Sequence, residues 1–170
     1  MPDSTLLPAL PRPALFRGYG GAELPLPEYA ALVAVFGTLL TALLAKAEGG
    51  GGRLGVRDLV LLGVATHKLS RLIAKDKVIA PFRAPFAKFI KSDGAGEVEE
   101  EARGAGLQKA VGDLVTCPFC VSPWAALALA SGLVLAPRAG RLLCGILSAI
   151  GGAHFLHHAY VALENRKEPE

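Results

Sequence analysis

Charged residues are scarce in this sequence of 170 residues. Asp, Glu, Lys and Arg together make up 19%, whereas soluble domains contain about 25%. The net charge is only +3, and no stripe of lysines and arginines alternates with aromatic residues, so the sequence gives no sign of nucleic-acid binding. In contrast, 52% of the residues are hydrophobic and the mean hydropathy is +0.41, which favours a protein embedded in a lipid bilayer.

Cysteine and the features of an export signal are also largely missing. The three cysteines are too few for the disulfide framework of a small secreted protein. Residues 1–25 lack the basic start, the short apolar core and the cleavage site of a signal peptide. They are instead rich in proline, which is excluded from helix interiors, so we expect a proline-rich surface arm over residues 1–25.

None of the common catalytic patterns is present either. No nucleophile–base arrangement or carboxylate pair stands out, and the glycines at 49–52 lack the lysine and the preceding strand of a phosphate-binding loop. The sequence therefore points away from an enzyme without excluding one. It predicts no cofactor, apart from the zinc considered below.

Long apolar segments are abundant, and there are four of them. They cover about residues 29–45, 58–74, 119–136 and 142–163, each close to the length that crosses a bilayer as a helix. They predict an all-α fold, a polytopic membrane bundle of four helices arranged as two hairpins over residues 26–163. We expect a hydrophilic loop at about 75–116 and a polar C-terminal tail at 164–170.

The second segment allows two interpretations because it contains His67, Lys68 and Arg71. A basic residue is costly in the middle of a bilayer but tolerated near a helix end. The segment is therefore either a half-buried helix at the membrane interface or a true span with a basic edge. Apart from Asp58, which caps the start of the second segment, no Asp or Glu lies inside the apolar segments, so the partners of that edge must be loop carboxylates, lipid phosphates or another chain.

The central loop contains two copies of Ala-Pro-Phe, in which Arg83 stands beside phenylalanines. Basic and aromatic residues together suit a membrane surface, so we expect Arg83 to contact lipid or a partner. The glutamates at 97 and 99–101 are expected in a solvated loop. Trp124, near the start of the third segment, is expected to anchor that helix at the interface.

Lysines and arginines are unevenly distributed over the connecting regions. If all four segments span, eleven lie on the side of the termini and the central loop, and five lie on the other side. Because basic residues accumulate on the cytoplasmic side, we predict that both the N- and C-termini are cytoplasmic. A three-span topology would break this count.

Several motifs together resemble a known family. They are RDLVLLGVATHKLSR at 57–71, KDK at 75–77, the Ala-Pro-Phe pair, Arg-Gly at 103–104, and TCPFC at 116–120 followed by Trp124. In this order and spacing they are similar to a bacterial membrane-protein family called domain of unknown function 1360, over about residues 54–163. The resemblance implies the bacterial cytoplasmic (inner) membrane. Some relatives carry a sporulation label, and the family supplies no active site.

The Cys-Pro-Phe-Cys tetrad at Cys117 and Cys120 is open to three interpretations: a packing role, thiol redox chemistry, or one half of a metal site. Tetrahedral zinc needs two further ligands, and His154, His157 and His158 are expected near the same end of the bundle. A functional pair should then lie within reach of one of these imidazoles, and Cys144 should lie far from the pair.

Three hypotheses of function follow. The first is a structural or interaction subunit of a membrane assembly, whose partners are the lipid bilayer and either other membrane subunits or a second copy of itself. The alternative is a membrane-embedded thiol-redox or metal-binding protein that uses the cysteine pair. The third is a soluble protein of four buried helices, which long apolar runs such as 122–136 disfavour.

Overall fold

The computed structural model describes residues 9–11, 13–16, 19, 24–50, 54–94 and 96–166. Most of the expected N-terminal arm, with Arg12 and Arg17, lies outside the described residues, as do Arg53 and residues 167–170. The described elements are α1 (Leu26–Glu48), α2 (Val56–Lys75), α3 (Ala80–Arg83), β1 (Ala87–Asp93), β2 (Glu97–Ala102), α4 (Gly106–Thr116), α5 (Pro118–Leu135) and α6 (Pro137–Glu164). Short 3-10 turns occur at Ala14–Phe16 and Lys77–Ile79.

The core is a three-helix bundle of α2, α5 and α6. Its buried centre contains small and aliphatic side chains from all three helices: Ala65, Leu129, Leu133, Cys144 and Leu147. The α5–α6 hairpin is very close at Gly132 and Gly140, where an added Cβ on Gly140 would stand 2.6 Å from the Gly132 backbone. Glycine at 140 is therefore required for this approach of two backbones.

Two contacts fix α2 and α6 side by side and parallel. The Arg141 guanidinium donates from Nε and Nη2 to the two carboxylate oxygens of Asp58, at 2.9 and 3.2 Å. The Ser148 hydroxyl donates to the carbonyl of Leu61 at 3.0 Å. Because α5 runs into α6 through a tight turn, α5 is antiparallel to both of its neighbours.

The first helix lies outside this core. Its first turn is joined to α4 by the Tyr29 hydroxyl, which donates to Asp113 Oδ2 at 2.5 Å, and Phe36 packs edge-on against Trp124 of α5 with ring centroids 5.4 Å apart. The sequence predicted that α1 and α2 pack together as a hairpin. In the structure α1 packs instead on α4 and α5. The tyrosine contact places the N-terminus of α1 beside α4.

The connection between α2 and α5 is folded rather than an extended hydrophilic loop. Strands β1 and β2 form an antiparallel hairpin, and α4 packs on it closely enough that a Cβ on Gly112 would meet Ala102 at 2.8 Å. The expectation of an all-α fold is thus corrected to a mostly helical fold with a small two-stranded sheet. The glutamates expected in a solvated loop form β2, in which Val98 and Glu100 face inward while Glu99 and Glu101 are exposed.

Three helices are long and apolar enough to cross a membrane: α1, α5 and α6. The second helix does not qualify by composition, although its 20 residues would reach about 30 Å. The structure thus gives three candidate spans among the described residues, and the expected count of four spanning helices is not established by length and composition.

Candidate functional site

A cleft of about 820 Å³ opens between α2, α6 and the start of β2. Its wall contains charged and imidazole side chains from all three elements: His67, Lys68, Arg71, Asp76, Glu97, His154 and His158. Five of these residues were predicted from sequence as site residues, but under two separate hypotheses. The structure brings the basic edge of α2 together with two of the α6 histidines.

Helix periodicity explains why these side chains share one cleft. His67, Lys68 and Arg71 lie within one turn of α2, and His154 and His158 are one turn apart on α6. His157 is rotated by about 100° from His158 and does not line the cleft; the two rings stand 6.0 Å apart. All three histidines of α6 are exposed.

Arg71 and Glu97 close one end of the cleft. The Arg71 Nη2 donates to both carboxylate oxygens of Glu97, at 2.5 and 2.6 Å. This contact ties the start of β2 to α2, so a loop carboxylate does serve Arg71, one of the partners expected from the sequence. Asp76 uses its side chain differently, because Oδ1 accepts the amide of Val78 at 2.9 Å and caps the following turn.

Lys68 has an unusual environment for a lysine. Its side chain is almost fully buried, at 9% exposure, and its Nζ lies 3.2 Å from Nδ1 of His154. An ammonium group can only donate, so Nδ1 must accept and the imidazole proton must sit on Nε2. Lys68 and His154 therefore present several hydrogen-bond donors to the cleft. Their one acceptor, Nδ1 of His154, is already bonded to Lys68.

The cysteine pair occupies a different place. Cys117 is the residue before α5, and its Sγ accepts the amide of Cys120 at 3.2 Å, which is the geometry of a helix N-cap. Both are free thiols. Cys120 lines a second pocket together with Tyr29, Asp113 and Trp124, and no histidine lines that pocket in the described chain.

The expected thiol–histidine site is therefore not supported. Over the ranges that the structure describes, no three His, Cys, Asp or Glu side chains are grouped closely enough to hold a metal ion. Cys144 is fully buried in the core, in the same cluster as Leu129, which is nine residues or about two and a half helical turns from Cys120 on α5. The geometry favours the packing interpretation, in which Cys117 caps α5 and Pro118 begins the helix.

Two of the expected interface residues also have protein partners. Arg83 is 2% exposed, donates to the carbonyls of Ile73 at 2.7 Å and Asp76 at 3.0 Å, and forms an ion pair with Glu100. A buried guanidinium cannot reach lipid or a partner, so that prediction for Arg83 is corrected. Trp124 is half-buried and packs on Phe36 of α1.

Sequence reasoning missed the residues that complete the cleft from outside the two helices. Glu97 did not stand out because it belongs to a run of glutamates, which is typical of a solvent-exposed loop. The alternation of Val98 and Glu100 was the one pattern in this run that indicated a strand with an inward-facing side. Gly63, Gly151 and Gly152 also line the cleft. Their role depends on the facing of two helices, which no local pattern encodes.

Residues 61–160 match the model of a family described as Protein of unknown function (DUF1360), so the chain belongs to that family. Two proteins of Bacillus subtilis (strain 168) are similar to it. Sporulation protein YjcA is 30% identical over 96 residues, covering 55% of this chain and 81% of that protein. UPF0713 protein YngL is 30% identical over 108 residues, covering 63% and 81%. No solved structure matches significantly.

Proposed function

We propose that this protein is a four-span subunit of the bacterial cytoplasmic membrane that acts by binding another transmembrane helix through α1. In this proposal residues 26–163 form the membrane unit, and the hairpin with α3 and α4 forms a cytoplasmic cap within it. Both termini lie on the same side as the cap. One relative is named a sporulation protein, so a membrane assembly of sporulation is the first place to look for the partner.

The distribution of exposed apolar side chains supports the membrane part of the proposal. Val33 of α1 is 70% exposed and Phe155 of α6 is 74% exposed, and many large apolar residues on the same helices share this exposure. Soluble proteins rarely leave contiguous apolar surfaces of this kind in water. A bilayer would cover them at no cost.

The packing of α2 supports its inclusion as a fourth span. Its polar residues Ser70 and Lys68 are buried against protein, and α5 and α6 both pack along it. A helix with a polar side can cross a bilayer when that side faces the bundle. A spanning α2 also keeps the eleven-to-five distribution of lysine and arginine that favours cytoplasmic termini.

The single observation that carries the interaction role is the uncovered surface of α1. None of its most apolar 18-residue window is buried, and one side forms a shallow groove of small residues, namely Ala34, Gly37, Thr38, Thr41, Ala42 and Ala45. Both threonine hydroxyls donate back to carbonyls of their own helix, at 2.8 Å. Such surfaces let a second helix approach closely in lipid, and this groove points away from Phe36 and α5.

Photo-crosslinking in the membrane tests this role. A crosslinker at Thr38 should give a protein adduct of discrete mass, and Gly37→Leu should reduce that adduct severalfold by filling the groove. The matched control is Leu39→Phe, which adds bulk at an exposed position about 160° around the helix from Gly37 and should leave the adduct unchanged. Adducts to lipid alone, or equal losses in both variants, would contradict the proposal.

A further inference from the structure

The cleft between α2 and α6 contains a buried cation without a carboxylate partner. Among the described residues the Lys68 ammonium has one side-chain partner, the neutral imidazole of His154. Burying a charge is costly unless an opposite charge accompanies it. The site is therefore electrostatically incomplete as the described chain forms it.

The two carboxylates that line the cleft do not fill this need. Glu97 is held by Arg71 through both of its oxygens. Asp76 caps the turn at Val78 and stands eight residues beyond Lys68 on the same helix, about 12 Å along its axis. An anion at Lys68 must come from outside these residues.

The donors around Lys68 define what that anion looks like. Two ammonium protons of Lys68, the second ring nitrogen of His154 and the imidazoles of His67 and His158 line the same open cleft. Several hydrogen-bond donors around a cation are the usual environment of a bound phosphate group. Hydrogen bonds from charged donors to phosphate oxygens are stronger than those between neutral groups.

Open apolar space lies beside this polar part of the cleft. Gly63 and Gly152 have no atom within 4 Å of the position that a Cβ would take, and Val64 and Phe155 are exposed beside them. A Cβ on Gly151 would lie 3.6 Å from the Cβ of Lys68, so the open surface of α6 begins at the level of Lys68, whereas Gly63 stands five residues, about 7.5 Å, before Lys68 on α2. A ligand that suits both surfaces has an anionic head and a hydrocarbon chain.

We propose that this cleft binds one anionic phospholipid, with its phosphate at Lys68, His154 and His158 and an acyl chain beside Gly63 and Gly152. Basic recesses between membrane helices on the cytoplasmic side are known hosts for acidic headgroups. The site is separate from the α1 groove, so it does not depend on the interaction role of α1.

Native mass spectrometry of the full chain, delipidated in detergent and reloaded, tests the headgroup. Phosphatidylglycerol should bind in one tight copy, whereas phosphatidylcholine should bind at least about tenfold more weakly. Lys68→Met should remove this preference, while the control Lys88→Met, which removes an exposed cation of the cap, should keep it. Equal binding by the two variants, or no preference between the lipids, would overturn the proposal.

A second pair of variants tests the chain. Gly152→Leu should fill the open apolar space and weaken phosphatidylglycerol binding about tenfold, whereas Ala153→Leu, at an exposed position about 100° around α6, should not. Inorganic phosphate should not compete at millimolar concentration. Competition by phosphate, or unchanged lipid binding in Gly152→Leu, would show an anion site without a chain and overturn the lipid assignment. A bound protein that is present in place of the lipid, and that is lost in Lys68→Met, would overturn the lipid assignment as well.

Discussion

Two cationic side chains are buried in the same half of the molecule, and they differ in what neutralises them. Arg83 has the carboxylate of Glu100 and two backbone carbonyls, so its charge is fully compensated within the cap. Among the residues that the structure describes, Lys68 has only the imidazole of His154 as a side-chain partner. The first arrangement serves stability, and the second is left open to a ligand.

The buried pair predicts a sharp contrast between two neighbouring glutamates of β2. Glu100→Gln leaves the Arg83 guanidinium buried without its counter-charge, which should lower the free energy of unfolding of the cap by about 3 kcal/mol. Glu99→Gln breaks only the exposed pair with Lys91, where the side chains are 49% and 65% exposed, and should leave the stability of the cap nearly unchanged because solvent screens the pair. Hydrogen exchange of the β1 and β2 amides measures both losses. Similar exchange in the two variants would contradict the burial of the pair.

The capping role of Cys117 makes a second prediction. Cys117→Ala should lower the free energy of unfolding by up to about 1 kcal/mol, because the amide of Cys120 loses the Sγ acceptor and keeps only the carbonyl of Cys117, at 3.1 Å. Cys117→Ser keeps an acceptor and should stay close to the unchanged protein, and the control Cys120→Ala should lie within about 0.5 kcal/mol of it. Denaturation midpoints in detergent give these values. Equal losses for both cysteines would point back to a shared thiol function.

Single residues were predicted from the sequence with mixed success, for physical reasons. His67, Lys68 and Arg71 stood out because charge inside an apolar segment is costly, and the cleft is where they are found. The alternative that joined Cys117 and Cys120 to a histidine is not supported, because spacing along a chain does not say which helix faces which. Glu100 was missed, since its partner is 17 residues away.

At the level of elements, the tight α5–α6 hairpin depends on one glycine. In Gly140→Ala the new methyl group would stand 2.6 Å from the Gly132 backbone, so the helices must separate, at about 1–3 kcal/mol of the free energy of unfolding. Gly145→Ala on the same helix meets nothing within 4 Å and should be neutral or slightly stabilising. Thermal unfolding of the two variants in detergent separates them, and equal stability would contradict the close approach.

The long helices could be predicted from apolar runs alone, and the observed bounds of α1, α5 and α6 contain most of the predicted segments. The hairpin could not. Four of the six residues of β2 are glutamates, which favours solvent and disfavours strands, and the strand exists because Arg83 and α4 cover its inner face. Tertiary contacts overrode local preference there.

At the level of the whole molecule, the four long helices alternate in direction. Tyr29 fixes the start of α1 beside α4, the Asp58–Arg141 contact fixes the starts of α2 and α6 together, and α5 is antiparallel to both. The cap therefore shares one end of the molecule with the N-terminal end of α1 and the C-terminal ends of α2 and α6. This arrangement is what four crossings of a bilayer require, and α2 is the helix on which that topology depends.

Labelling of single cysteines in intact bacterial cells with a membrane-impermeant maleimide tests that topology directly. In a variant without the three native cysteines, Val56→Cys at the start of α2 and Ala139→Cys in the first turn of α6 should be labelled from outside, since both positions are exposed at the end opposite the cap. Ser92→Cys in β1 should be labelled only after the cells are lysed. Labelling of Val56→Cys and Ser92→Cys from the same side would show that α2 does not cross the membrane and would contradict the four-span protein proposed here.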